Sequence, residues 1–222
     1  VILEAMAGRG PDLIAVSLAQ RPSLVVARVG GTVRALEGTA PYPLGDLATR
    51  ARLALEGASP AVVGVVNGPG PVLALRTAVA FARSLAHVLG VPAAGLHVAE
   101  VLAASLPSVR VLWVAEPIGR GRVALARLEE GRIVEETILP RDRLQPPEGE
   151  VLVGGVLAGG RPDDARTYGL AGPTPEGLVA ATERAWVEGR AGDPRELEVR
   201  YAVDAGVRLR GGLRRGAGGG PR

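Results

Sequence analysis

Residues 67–70, Asn-Gly-Pro-Gly, follow an apolar run and precede a helical one. Many α/β proteins hold a phosphate at such a corner, because backbone N–H groups at a helix N-terminus point at the anion. Hydroxyls and a lysine usually complete the site. Here Pro69 and Pro71 each lack an N–H, Val72, Leu73 and Ala74 carry no hydroxyl, and the chain contains no lysine. What remains is Asn67, Gly68, Gly70 and the helix dipole. The stretch Asn67, Gly68, Pro69, Gly70 therefore reads as a degenerate phosphate-loop corner. Its glycines let the chain turn, and Pro71 suits the first turn of the helix.

Other residues invite chemistry and mostly decline it. His97 and Glu100 are three apart and can share a helix face, but no third orienting group is evident, so no catalytic residue is assigned. Asp163-Asp164 and Glu135-Glu136 look like metal-binding pairs only superficially and read as solvated acids. Trp113 and Trp186 read as core anchors rather than base-stacking platforms. His87 falls with Arg76, Ala80 and Arg83 on one face of a long helix, which reads as solvated or as a docking edge. Small residues recur along that helix (Ala74, Ala78, Ala80, Ala82, Ala86), permitting close approach of another element.

Composition narrows the classes further. With 222 residues the chain can bury a substantial core. Aromatic residues make up 3%, so Val, Leu and Ala must fill that core. There is no cysteine, which excludes a disulfide scaffold, a thiolate metal site and a cysteine nucleophile. Two histidines are too few for a histidine-based metal site. No metal or cofactor is expected. The absence of lysine also excludes Schiff-base chemistry. No uninterrupted apolar run reaches membrane-spanning length, and the first residues lack a basic lead and a long apolar segment. A cytoplasmic protein is expected. The net charge is +3, yet residues 208–222 carry five arginines and no acid, so the body is slightly acidic. That Arg/Gly segment reads as a flexible tail, and Arg208, Arg210, Arg214 and Arg215 are candidate contacts to RNA phosphates.

The elements that must position these residues follow from the pattern. Strands are predicted at 12–19, 24–29 and 32–36, the last two joined by Gly30-Gly31, a pair suited to a two-residue hairpin turn. A helix is predicted at 44–57, with Leu47, Ala51 and Leu55 on one face. A wholly apolar strand at 61–66 reads as a central parallel strand buried on both faces. A helix at 72–89, a strand at 91–96 and a helix at 97–106 follow. The second half repeats the theme: a strand at 109–115, a hairpin at 122–128 and 132–139, a strand at 151–156, a helix at 174–188 with Thr174 as N-cap, and a last strand at 196–203. An antiparallel meander feeding parallel strands with crossover helices, twice over, is the plan of the actin-like ATPase fold: a ribonuclease-H-like α/β lobe duplicated, each lobe a mixed sheet flanked by helices. The expected division is a first lobe at 12–107, a second at 108–206 and the tail at 207–222.

"VVNGPGPVLALRTAVAFARSLAHVLGVPAAGLHVAEVLA" resembles the signature region of the TsaB (YeaZ) family, the actin-fold partner protein in bacterial tRNA threonylcarbamoyladenosine synthesis. That family has Gly-Pro-Gly-Ser-Phe-Thr-Gly-Leu-Arg, an Ala/Gly-rich helix, a Gly-Ile/Val-Pro strand, and a helix with Leu-Glu-Ala-Leu-Ala. This chain keeps Gly68, Pro69, Gly70, Leu75, Arg76, Gly90, Val91, Pro92, Glu100, Leu102 and Ala103. It departs at Pro71, Val72, Leu73 and Ala74, which replace Ser-Phe-Thr-Gly. Val16, Ser17, Leu18 and Ala19 stand where the family's Ile-Asp-Thr-Ser/Ala would lie, and "AEPIGR" at 115–120 replaces its Asp-Ala-Arg-Arg element. Three places of ancestral nucleotide chemistry are thus altered together.

The resemblance implies a non-catalytic scaffold that pairs with a TsaD-type subunit or a second copy of itself. Arg76, Ala80, Arg83, His97 and Glu100 are then candidate interface residues, and tRNA is a further candidate partner. Two alternatives stand beside it. One is an actin-fold kinase or hydrolase with a nucleotide cleft around Ser17 and Asn67. The other is an RNA-binding accessory protein acting through its tail.

Overall fold

The computed structural model describes residues 2–6, 10–38, 44–106, 108–145, 151–156, 166–167, 170 and 172–202. The Arg/Gly tail and Asp163-Asp164 lie outside the described residues.

The first half builds strands β1 (Ile2–Met6), β2 (Leu13–Ser17), β3 (Ser23–Val29), β4 (Thr32–Gly38), β5 (Val62–Gly68) and β6 (Ala93–His97). They form one sheet in the order β1-β4-β3-β2-β5-β6. β1 to β4, β4 to β3 and β3 to β2 pair antiparallel, and β2 to β5 and β5 to β6 pair parallel. The second half contributes β7 (Val111–Gly119), β8 (Arg122–Glu129), β9 (Arg132–Pro140), β10 (Val151–Val153) and β11 (Arg166–Thr167), in the order β11-β10-β7-β8-β9. Again a meander, β7-β8-β9, meets parallel strands at β10 and β11. The helices are α1 (Leu44–Leu55), α2 (Val72–Leu89), α3 (Val98–Ala104) and α4 (Pro175–Val187). Two mixed sheets flanked by helices make the actin-like ATPase fold expected from the sequence.

Local chemistry explains the elements. Gly30 and Gly31 turn the β3–β4 hairpin with φ of 57° and 83°, a region costly for residues with a Cβ. The Gly30 N–H donates to Asp12 Oδ1 at 2.8 Å, which fixes the turn against the start of β2. Strands β2 and β5 are apolar throughout because both faces are buried. Ile14, Val16, Val63 and Val65 pack on one side with α1 and α2. Leu13, Ala15, Val62 and Val66 pack on the other with α3 and α4. That second core continues into Leu112, Val114, Ala126 and Leu128, so α3 and α4 lie between the two sheets. The far face of the second sheet has its own cluster around Trp113, Val123, Leu125 and Leu152.

Helix α4 comes late in the chain but docks on the first sheet. Thr174 Oγ1 accepts from the Gly177 N–H at 3.0 Å and caps it, with Pro175 in its first turn. Arg28, nearly buried on β3, pairs with Glu183 of α4 at 3.0 Å and donates to the Pro11 carbonyl oxygen at 3.1 and 2.9 Å. A buried guanidinium is tolerated because several of its donors are engaged.

Some expectations need correction. Residues 196–203 do not form a sheet strand within the described part. Asp193 Oδ1 instead caps a 3-10 turn, Pro194–Glu196, and the chain then runs extended. β-branched and apolar residues there mark burial of Leu197, not ladder pairing. Strands β1 and β11 add to the expected elements; each is an edge strand whose pairing is set by its neighbour rather than by its own pattern. Trp113 is a core residue as expected, but Trp186 is 39% exposed at the end of α4. Helix α2 has the length and mean hydropathy (1.4) of a membrane span. Its Leu75, Ala78, Phe81 and Ala82 pack into the core on the first sheet.

Candidate functional site

The ends of β2, β5 and β6 in the first lobe face β7 and β9 in the second. Ser17, Pro69, His97 and Glu136 converge on this cleft. Ser17, at the end of β2, donates from Oγ to Gln20 Oε1 at 3.0 Å. Gln20 Nε2 donates to the Pro69 carbonyl oxygen at 3.4 Å, and its side chain also hydrogen-bonds Glu116 on β7. Glu116 Oε1 accepts from the Gly155 N–H at 2.7 Å. Ser17, Gln20 and Glu116 are all buried. Burial pushes the Glu116 carboxyl up to about 7, against the Gly155 amide and Gln20, which favour the ionised form.

In sequence, 115–120 stands in place of the Asp-Ala-Arg-Arg element of the TsaB family. The structure shows that a carboxylate, Glu116, stands in the cleft at this position. Its signal was an acid inside an otherwise apolar strand, "VLWVAE".

At the corner, the polar groups of Asn67 bond to a segment from far along the chain. Asn67 Nδ2 donates to the Glu198 carbonyl oxygen at 2.9 Å, and the Asn67 carbonyl oxygen accepts from the Arg200 N–H at 2.8 Å. The Arg200 carbonyl packs on Gly68, where an added Cβ would collide with it. Gly68 also has φ of +152°, so a side chain is disfavoured twice. Gly70 is crowded by Ala19. Helix α2 begins after Pro71 with no side-chain cap, and Val72 and Leu73 at its N-terminus are exposed. Nothing polar among these residues reinforces the helix dipole for an anion.

His97 links the lobes. As N-cap of α3 it accepts the Ala99 N–H on Nδ1 at 3.1 Å, while Glu100 Oε2 accepts the His97 N–H at 3.3 Å, a capping box. With Nδ1 accepting, the ring proton sits on Nε2, 3.0 Å from Glu136 Oε1 on β9. Glu136 Oε2 is 3.2 Å from Arg200 Nη2. The hydrogen bond from His97 holds the Glu136 carboxyl below its ordinary range, with burial opposing and Arg200 adding. The gap between Pro69, His97, Glu116 and Glu136 is too tight to admit a water molecule. No group of three or more His, Cys, Asp or Glu side chains converges as a metal site among the described residues.

The expected interface residues divide. Arg76, Ala80 and Arg83 lie on the outward face of α2 with His87 and Val88. His97 and Glu100 belong to the cleft instead, and His97 is only 2% exposed. Beside the outward face, α1 and α2 enclose an apolar groove of about 600 Å³ lined by Ala51, Leu55, Ala80, Phe81, Ser84 and Val88.

Residues 48–114 match the sequence model of the family described as TsaD, tRNA N6-adenosine threonylcarbamoyltransferase. No curated protein matches the chain in sequence. Among solved structures, YeaZ from Pseudomonas aeruginosa superposes with a TM-score of 0.73 at 18% identity, covering 87% of this chain and 100% of that one. A Pseudomonas aeruginosa protein described as similar to peptidase YeaZ gives 0.73 and 18%, over 86% and 99%. The chain has the fold of YeaZ across both lobes, and its residues 48–114 resemble the TsaD family.

Proposed function

We propose that this protein is a non-catalytic, TsaB-like partner that supports N6-threonylcarbamoyl modification of adenosine in tRNA by pairing with a TsaD-type catalytic subunit in the cytoplasm. The observation that carries the reading is the filled cleft. Where an actin-fold enzyme needs room for a nucleotide between its lobes, Gln20 and Glu116 bond across, and Glu198 and Arg200 occupy the polar groups of Asn67. What the chain presents outward is the face of α2 with Arg76, Ala80 and Arg83, beside an apolar groove. Helix faces with small residues next to an apolar groove suit helix-in-groove association. The same surface accommodates a second copy of the chain. Residues Arg208, Arg210, Arg214 and Arg215 would add a salt-sensitive contact to tRNA.

The test is co-purification of the tagged chain with a TsaD-type protein, combined with calorimetry of the isolated chain against ATP and magnesium. The reading expects a stable complex and no heat of ATP turnover by the isolated chain. A clean pull-down without the TsaD-type protein would overturn the partnership.

A second reading follows from the matched family description, which names a transferase. It expects the chain alone to modify tRNA when supplied with threonylcarbamoyl-AMP. Absence of modification until the partner is added would leave only the first reading standing.

A further inference from the structure

Four arginines from four separate segments meet at one cavity below the end of α4. Arg132 begins β9, Arg184 lies in α4, Arg190 follows it, and Arg200 comes from the extended segment that packs on Asn67. With Glu100 and Glu188 they line about 420 Å³, within the range of small-ligand sites. The carboxylates act as struts. Glu188 takes Arg132 Nη2 at 3.0 Å and Arg190 Nε at 2.9 Å, and Glu100 takes Arg190 Nη1 at 3.3 Å. Arg184 Nη1 donates to the Gly131 carbonyl oxygen at 3.3 Å, and Arg200 reaches Glu136.

Each guanidinium has five N–H donors, and these contacts use one or two apiece. The carboxylate side chains sit deeper, at 21% and 29% exposed, than the arginines they hold, at 76% for Arg132 and 37% for Arg190. Even with Glu136 counted, four cations face three anions. The mouth of the cavity is therefore a positively charged ring of planar forks, a geometry that matches phosphate oxygens.

We infer that this cavity binds the phosphoryl group of a small phosphorylated ligand. The bound anion would bridge Arg132, Arg184 and Arg190 and draw Arg200 from Glu136.

The experiment is calorimetric titration of the isolated full chain at low salt with inorganic phosphate, pyrophosphate and AMP. Because no partner is present, its outcome is independent of the TsaD pairing. One saturable site per chain is expected, weakened by added salt. The double variant Arg132→Gln, Arg190→Gln is expected to lose about tenfold in affinity or more. Arg132→Gln alone, at an exposed position, is expected to lose about threefold and keeps the test valid should the double variant fold poorly. AMP binding tighter than inorganic phosphate identifies a phosphorylated small molecule as the source; equal affinities identify the free anion. No saturation up to about 10 mM, or unchanged affinity in Arg132→Gln, would overturn the site.

Discussion

His97 Nε2 on the first lobe lies 3.0 Å from Glu136 Oε1 on the second, while the other nitrogen of the same ring caps α3. One side chain thus performs two structural tasks, and both depend on which nitrogen carries the proton. The Ala99 N–H requires a bare Nδ1, and Glu136 requires a proton on Nε2. The pair joins the lobes.

His97→Ala removes the cap and the contact between lobes together. Loss of an N-cap and of a partly buried hydrogen bond to a carboxylate is expected to destabilise the fold by about 2 kcal/mol. His97→Asn restores a good N-cap residue with a side chain too short for Glu136. Urea denaturation of the three proteins checks this: the Asn variant should fall between wild type and Ala. Equal stability of His97→Ala and wild type would refute the double role.

Glu116 makes stability depend on pH. Folded, its carboxyl holds a proton up to about pH 7; unfolded, it releases it near 4.5. Between those values the folded state binds more protons, so this contribution is full below 4.5 and is lost as pH rises through about 7. The difference corresponds to about 3 kcal/mol. Glu116→Gln cannot ionise and keeps an acceptor for the Gly155 N–H. It should exceed wild type in stability at pH 8 by up to about 3 kcal/mol, with the gap closing near pH 4. Denaturation midpoints at the two pH values measure it, and a gap independent of pH would contradict the account.

Much of the architecture could be read from residues whose physics is local. Gly30-Gly31, the wholly apolar strand at 62–66, and the Thr174-Pro175 helix start each specify their element without help from distant contacts. The corner at Asn67 was legible too, because prolines and missing hydroxyls are visible in sequence. Its occupation by Glu198 and Arg200 was not, since those residues lie far along the chain and only the tertiary fold brings them to Asn67. Glu136 shows the same limit. As half of an acidic doublet on an edge strand it looked solvated, yet β9 carries it to His97. Trp186 failed in the opposite direction: its size suggested a core position, but the helix ends there and the ring remains partly outside.

Gly68 fixes the strap formed by residues 197–200. A methyl group at this position meets the Arg200 carbonyl, and the backbone there has φ of +152°. Gly68→Ala should cost about 2 kcal/mol or more and detach the segment from Asn67. Hydrogen exchange reads the detachment directly: the Arg200 amide, bonded to the Asn67 carbonyl at 2.8 Å in the native protein, should lose its protection. Retained protection would show that the corner tolerates a side chain.

Ala80 separates association from folding. It is exposed on α2 and borders the apolar groove, so Ala80→Glu touches no core contact. Stability should change by no more than about 0.5 kcal/mol, since glutamate is a good helix former and the site is solvated. Association through this face should weaken by about tenfold or more, because a charge must then be desolvated against an apolar partner surface. Size-exclusion chromatography of the chain with itself and with a TsaD-type protein, alongside thermal denaturation, distinguishes the two effects. Undiminished association in a folded Ala80→Glu protein would move the interface away from α2 and leave the groove without its proposed role.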